Sequence, residues 1–405
     1  MLYKLVCMRQ AIINKILNER TVKIENLFDR NMKHIIIQIE SIMKYPPTIS
    51  LMKMLRELGD EVFLLSSEIT DKVQEECKKN DISVINVGFS YKFNNHPLKK
   101  LIKIPFIQKS LKRILTTIYD GDTLIWIMTS VSLKFIGNIL DEKKYIMYMY
   151  ELSEEIRFYP RLPFPRVKLK KLFLNANEVI ECEYNRAYIA QAWFGLKKTP
   201  YVMPNKPFMT PLSVHTRIQD KVCDEIIKRI SNKKIILYQG IIDQERPLLP
   251  FVKAIDEMGE EYALVVMSSD IGKLKSLKSN NLYLLPFVTP PSHLEITSWA
   301  YMGILSYVPV RGETTSPLNA VYCAPNKIYE YAMFGIPMIG NNIPGLKYSI
   351  ENNALGICFD SFETEDIKEA IHVVESKYDY FSKNAKNYYD INNLDVLKKV
   401  IGKSV

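Results

Sequence analysis

With 405 residues, 47% of them hydrophobic and 24% charged, the chain has the balance of a soluble globular protein, fits two domains better than one, and can bury its cores without staples. Its six cysteines (Cys7, Cys77, Cys182, Cys223, Cys323, Cys358) form no CxxC pair and its five histidines no HxxxH or HExxH spacing, which argues against disulfides, structural zinc or a histidine metal site. The formal charge of +9 suits phosphate-bearing ligands, an anionic membrane face or nucleic acid, and without long basic blocks it does not choose among them.

Residues 1–33 read as a helical extension, basic in places but broken by Asn, Glu and Arg, so no signal peptide is expected. No apolar run is long enough to span a bilayer, and a cytoplasmic location is expected. From His34 onward, strand-like runs alternate with amphipathic stretches. The runs are His34–Glu40, Glu61–Ser66, Ile82–Val87, Thr123–Met128, Tyr145–Tyr150 and Glu178–Cys182. Thr48–Leu58 has helical periodicity and stops at Gly59, a natural residue just past a helix end. The run at Tyr145 ends in acids: Glu151, then Glu154 and Glu155. Glu151 is placed to orient or deprotonate a hydroxyl, or equally to begin the next helix as a first-turn acid. From Arg157 to Phe173 basic residues interleave with aromatic ones, and His96–Lys103 and Lys109–Arg113 are similar. These stretches suit either docking on an anionic membrane or a basic helix covering the sheet.

The prolines at Pro204, Pro207 and Pro211, in a break that starts at Tyr201, mark a linker over residues 204–211. It separates a domain over 34–203 from one over 212–385, and residues 386–405 read as a C-terminal helix. The second domain repeats the rhythm with strands Lys234–Tyr238, Tyr262–Met267, Leu282–Leu285, Gly303–Tyr307, Ile336–Gly340 and Gly356–Phe359, and helices at Pro247–Met258 and Pro325–Phe334. The predicted class is α/β: two facing, doubly wound Rossmann-like domains with the ligand site in the cleft between them.

The densest signal runs from Cys323 to Gly340. Pro325 suits a first helical turn, and Gly335 and Pro337 end the helix. Lys327 and Glu330 are its only charges, three apart and so on one face. A carboxylate in an apolar helix needs hydrogen-bond donors, which ribose hydroxyls would supply, while the helix N-terminus suits a diphosphate. Spacing alone favours a surface ion pair between the two. The string Pro325-Asn326-Lys327-Ile328-Tyr329-Glu330-Tyr331, continued by Gly335-Ile336-Pro337, resembles the donor-site signature of GT-B glycosyltransferases related to family 4. That resemblance implies that Glu330 binds the ribose and that Asn326 and Lys327 lie at the donor phosphates. Ile235–Gly240 followed by Arg246 resembles the family's first C-terminal strand, whose terminal glycine lets phosphates approach and whose following cation holds them. Phe287 and Val288, in the segment from Pro286 to Ile304, resemble the part that meets the nucleobase, or are two core residues after a strand.

The resemblance extends in outline from about His34 to beyond Phe359, and it implies sugar transfer from a UDP-linked donor to a glycan or polyprenyl-linked acceptor. The implied setting is bacterial surface polysaccharide synthesis at the inner membrane face, with retention and with no metal or other cofactor. Three positions depart from the family pattern. Tyr322 stands where a second acid is common, Ile241 where an arginine follows the glycine, and Tyr45-Pro46-Pro47 where the first loop holds paired glycines. Tyr322 is the sequence support for the alternative, a non-catalytic partner subunit with the same fold. Nucleic-acid binding has only net charge behind it, and a dehydrogenase is disfavoured because residues 41–48 contain no glycine.

Overall fold

The computed structural model describes residues 31–88, 97–158, 166–312, 315–389 and 392–404, with side chains from residue 104 in the helix Pro97–Ile118. The helical extension expected over residues 1–33 falls outside them up to residue 30, as do His96 and the middle of the Arg157–Phe173 stretch.

The first domain holds β1 (Lys33–Ile37), β2 (Glu61–Ser66), β3 (Ser83–Asn86), β4 (Thr123–Ile127), β5 (Tyr145–Met149), β6 (Glu178–Glu181) and β7 (Tyr201–Val202), all parallel, in the order β3-β2-β1-β4-β5-β6-β7. The second holds β8 (Lys234–Gln239), β9 (Tyr262–Ser268), β10 (Leu282–Pro286), β11 (Met302–Leu305), β12 (Met338–Asn341) and β13 (Gly356–Phe359), also parallel, in the order β10-β9-β8-β11-β12-β13. Helices cover both faces of each sheet, so strands such as Thr123–Ile127 and Tyr262–Ser268 are buried throughout. That is why they read as continuous apolar runs rather than alternating ones. Ile36, Trp126 and Ile146 point to one side of the first sheet, and Ile35, Ile125 and Met147 to the other.

Local chemistry explains where boundaries moved. The helix expected from Thr48 begins at Pro46, because two prolines fit a first turn whose N–H groups have no helical partner. Pro325, expected inside its helix, is instead the cap before Asn326. Tyr201–Val202, read as part of the break, is β7: its backbone still pairs with β6, in the short stretch between Pro200 and Pro204. The strand expected from Ile336 starts at Met338, since the Ile336 N–H closes the preceding helix onto the Tyr331 carbonyl at 3.1 Å and Pro337 has none. β11 stops at Leu305, because the Asn341 side chain takes over from the ladder, accepting from the Tyr307 N–H at 2.9 Å and donating to its carbonyl at 2.7 Å. A glycine is required at Gly303, where a Cβ would overlap the Tyr331 ring as it crosses to donate to the Leu237 carbonyl at 3.0 Å.

The chain crosses back at its end. Leu397, Val400 and Ile401 of the helix Asn393–Ser404 join the first domain's core, against β6 and β7. The domains also meet through Arg186, which is 3% exposed. Its guanidinium donates to the Tyr150 carbonyl of the first domain at 2.9 Å and to the Asn319 and Tyr322 carbonyls of the second at 2.9 and 2.6 Å. In both sheets strand order reverses beside the first strand, β1 or β8, and residues beyond β1 and β5 (Tyr45, Glu151) line one cavity with residues beyond β8 and β11 (Arg246, Tyr307).

Candidate functional site

β8 ends in Gln239 and Gly240, and the helix Asn326–Met333 runs beside them. Glu330, one turn inside that helix, is 4% exposed. Its carboxylate accepts from Gln239 Nε2 at 2.5 Å and pairs with His293 Nε2 at 3.2 Å. Thr297 fixes the Gln239 amide by donating to its Oε1 at 2.7 Å, which leaves the NH2 group to face Glu330. Burial pushes the Glu330 pKa up, but the His293 imidazole, the Lys327 ammonium and the Gln239 amide outweigh it and hold the carboxyl below its ordinary range. A buried, charged carboxylate therefore stands in a cavity of about 40 Å³ between the domains, with Pro290, Pro291 and His293 on its own side and Pro46, Ile49 and Lys53 opposite.

Lys327 does not pair with Glu330 on the helix surface; no salt bridge joins them, and Glu330 is buried. Its ammonium instead lies under Gly240, 3.3 Å from the Tyr307 hydroxyl and over the Tyr238 ring at 5.3 Å. Gly240 has φ of +140°, and a Cβ there would sit 3.0 Å from both Cε and Nζ of Lys327. The following loop is pinned: the Ile242 carbonyl accepts from Lys273 Nζ at 2.6 Å and the Glu245 carbonyl from the Val308 N–H at 2.7 Å. The loop carries Arg246, bound to Asp243 at 2.7 Å and stacked over the Tyr307 ring at 5.2 Å.

Arg246 and Asn326 open onto a larger part of the cleft, about 210 Å³, which Glu151, Tyr45 and Arg186 line from the first domain. Glu151 follows β5 directly and accepts from the Ser130 hydroxyl. It is not a helix-capping acid; no helix begins there among the described residues. Behind it, Glu40 accepts from Thr129 at 2.9 Å, Ser132 at 3.2 Å and Tyr45 at 3.2 Å. Burial, helped by the Glu151 charge and opposed by these hydrogen bonds, raises the Glu40 pKa.

The structure thus places Glu151, Arg246 and Asn326 on one cavity between the domains and Glu330 on a second, with Gly240 and Lys327 against each other at the end of β8. Phe287 and Val288 do not line the cavity beside Glu330: Phe287 is 51% exposed and Val288 packs on the second domain's core, while Pro290 and Pro291, a few residues on, form the wall. Sequence reasoning passed over Gln239, His293, Thr297, Tyr307, Arg186 and Glu245. Only Gln239, a polar residue ending an apolar strand, carried a local signal. Among the described residues no three His, Cys, Asp or Glu side chains are grouped to hold a metal ion, and no helix is long and apolar enough to cross a membrane. Lys109, Lys112 and Arg113 form an exposed basic face on the helix Pro97–Ile118, whose Ile107, Leu111 and Leu115 cover the first sheet.

No protein-family model matches the chain, and no curated protein matches its sequence. Solved structures do. Anabaena Alr3699/HepE in complex with UDP-glucose aligns with a TM-score of 0.63 at 12% identity, over 91% of this chain and 98% of that one. The sucrose-phosphate synthase of Thermosynechococcus elongatus aligns at 0.60 and 11% identity, over 92% and 96%. A glycosyltransferase from Rickettsia africae aligns at 0.59 and 12% identity, over 92% and 99%. Along nearly its whole described length, then, this chain is similar to these proteins in backbone and has the GT-B fold, two facing Rossmann-like domains with a cleft between them.

Proposed function

We propose that the protein is a glycosyltransferase that moves a sugar from a UDP-linked donor to a glycan or polyprenyl-linked acceptor. The observation that carries the reading is Glu330, a buried carboxylate held charged on a cavity between the domains, in the same domain as the cations Lys327 and Arg246. Each Glu330 oxygen has one described partner and capacity for another, which suits a pair of ribose hydroxyls. The diphosphate then meets Lys327, Arg246 and the free N–H groups opening the helix Asn326–Met333, with Gly240 allowing close approach. HepE, similar in fold, was solved with UDP-glucose, which supports a UDP-linked donor.

In the reaction, an acceptor hydroxyl oxygen bonds to the anomeric carbon on the face from which the diphosphate departs, as the bond from that carbon to the diphosphate breaks, so that the anomeric configuration is kept. The diphosphate leaves with the electron pair, and Arg246 and Lys327 stabilise the charge it gains. Glu151, across the cleft, orients the acceptor hydroxyl and takes its proton. Retention, a need for no metal, and a setting in bacterial surface polysaccharide synthesis at the cytoplasmic membrane face complete the proposal. The exposed basic helix face at Lys109–Arg113 supports that membrane setting.

Calorimetric titration with UDP-, GDP-, ADP- and CMP-linked sugars tests this reading. Saturable binding of one class, weakened by Glu330→Ala and Arg246→Ala, is expected. A folded protein that binds none of them overturns the donor site in favour of a partner subunit. Gly240→Ala should weaken binding roughly tenfold by pushing the Lys327 ammonium aside, while the backbone strain lowers stability by about 1–3 kcal/mol. Unchanged affinity in that variant, measured in the same titration, would place the phosphates elsewhere.

A further inference from the structure

The larger part of the cleft is lined by two carboxylates from different domains, Glu151 and Glu245. Glu245 has no structural partnership that accounts for it. Among the described residues Arg246 is the only side chain bonded to its carboxylate, at 3.4 Å to one oxygen, and the other oxygen accepts no hydrogen bond. Its backbone, by contrast, is held on both sides, the N–H by Asp243 Oδ1 at 3.0 Å and the carbonyl by Val308. The side chain is thus presented on a rigid loop, largely withdrawn from water, with unused acceptor capacity turned to a cavity. Withdrawing a carboxylate from water without donors is costly, and burial raises its pKa accordingly. Donors supplied by a ligand would offset that cost.

The cleft gives those donors a direction. Ribose at Glu330 and diphosphate at Lys327 and Arg246 leave the group beyond the second phosphate in the cavity that Glu245, Asn326 and Glu151 share. We propose that Glu245 binds the hydroxyls of the sugar being transferred, and so acts as a specificity-determining residue for the donor sugar. This rests on the donor-site reading above and adds to it a residue that tells a nucleotide sugar from a bare nucleotide. A phosphate drawn to Arg246 loosens the long Arg246–Glu245 contact and frees both Glu245 oxygens for hydroxyl donors.

The test compares matched ligand pairs by calorimetry: UDP with UDP-glucose and UDP-N-acetylglucosamine, GDP with GDP-mannose, and ADP with ADP-glucose. The proteins are the full chain and its Glu245→Gln and Glu245→Ala variants, with thermal melting to confirm folding. The expected result is that the ratio of sugar-nucleotide to nucleotide Kd rises at least fivefold in both variants, while the nucleotide Kd stays within about twofold. Equal changes for both members of a pair would show that Glu245 only orients Arg246, and unchanged values would show that it touches nothing; either overturns the inference and leaves the donor site standing. Binding of no nucleotide by the unaltered chain removes the donor site and this inference together.

Discussion

Glu330→Ala should abolish measurable nucleotide-sugar binding, a loss of at least 30-fold, and Glu330→Gln should lose about tenfold or more. Hydrogen bonds to a charged group are worth about 1.5–3 kcal/mol, and 1.4 kcal/mol is tenfold in affinity. The glutamine variant fails for a geometric reason. Gln239 presents its NH2 group because Thr297 occupies its carbonyl oxygen, so a second amide at position 330 keeps only one acceptor for Gln239, His293 and two ribose hydroxyls. Stability provides an independent readout. The folded Glu330 carboxyl titrates below the ordinary value for a glutamate, so its contribution is fully present above that ordinary value and is lost as pH falls through the lower, folded one. The stability difference between the unaltered protein and Glu330→Gln should therefore shrink as pH falls below about 5. A difference that does not shrink there would mean that the fold does not hold the carboxyl in its charged form.

Arg186→Ala should cost about 3 kcal/mol or more and expand the molecule. The buried guanidinium is the donor for three backbone carbonyls, and unsatisfied buried acceptors cost about 1–3 kcal/mol each. Because Asn319 and Tyr322 belong to the second domain and Tyr150 to the first, the loss falls on the contact between domains. Small-angle scattering should show a larger radius of gyration, and thermal melting a lower midpoint, with the domains unfolding separately. Arg186→Lys should recover little of either, since one ammonium cannot reproduce three planar N–H directions. Activity should fall as well, because the Tyr150 carbonyl that Arg186 holds directly precedes Glu151. Unchanged scattering together with an unchanged midpoint would show that other contacts, such as Asn205 to the Ala324 carbonyl at 2.9 Å, hold the domains together.

The amino-acid sequence by itself determined the fold class and pointed to half of the candidate site. Parallel strands buried on both faces must be apolar throughout, so runs such as Thr123–Ile127 and Tyr262–Ser268 stand out from the helices between them. Glu330, Lys327, Gly240 and Arg246 were legible because each owes its place to a local feature: a position on one helix face, the end of one strand, or the loop just beyond it. Tertiary structure alone decided what those residues meet. Spacing on the helix allowed Lys327 and Glu330 to pair, yet the fold sends Lys327 under Gly240 and Glu330 to His293, because partners from β8 and the helix His293–Thr297 close around them. Glu245, His293 and Arg186 stand among other polar residues with nothing in their spacing to single them out, and their partners or lining neighbours are brought to them from distant parts of the chain. The return of the helix Asn393–Ser404 to the first domain was equally hidden, since an amphipathic helix shows that one face must be covered but not by which sheet.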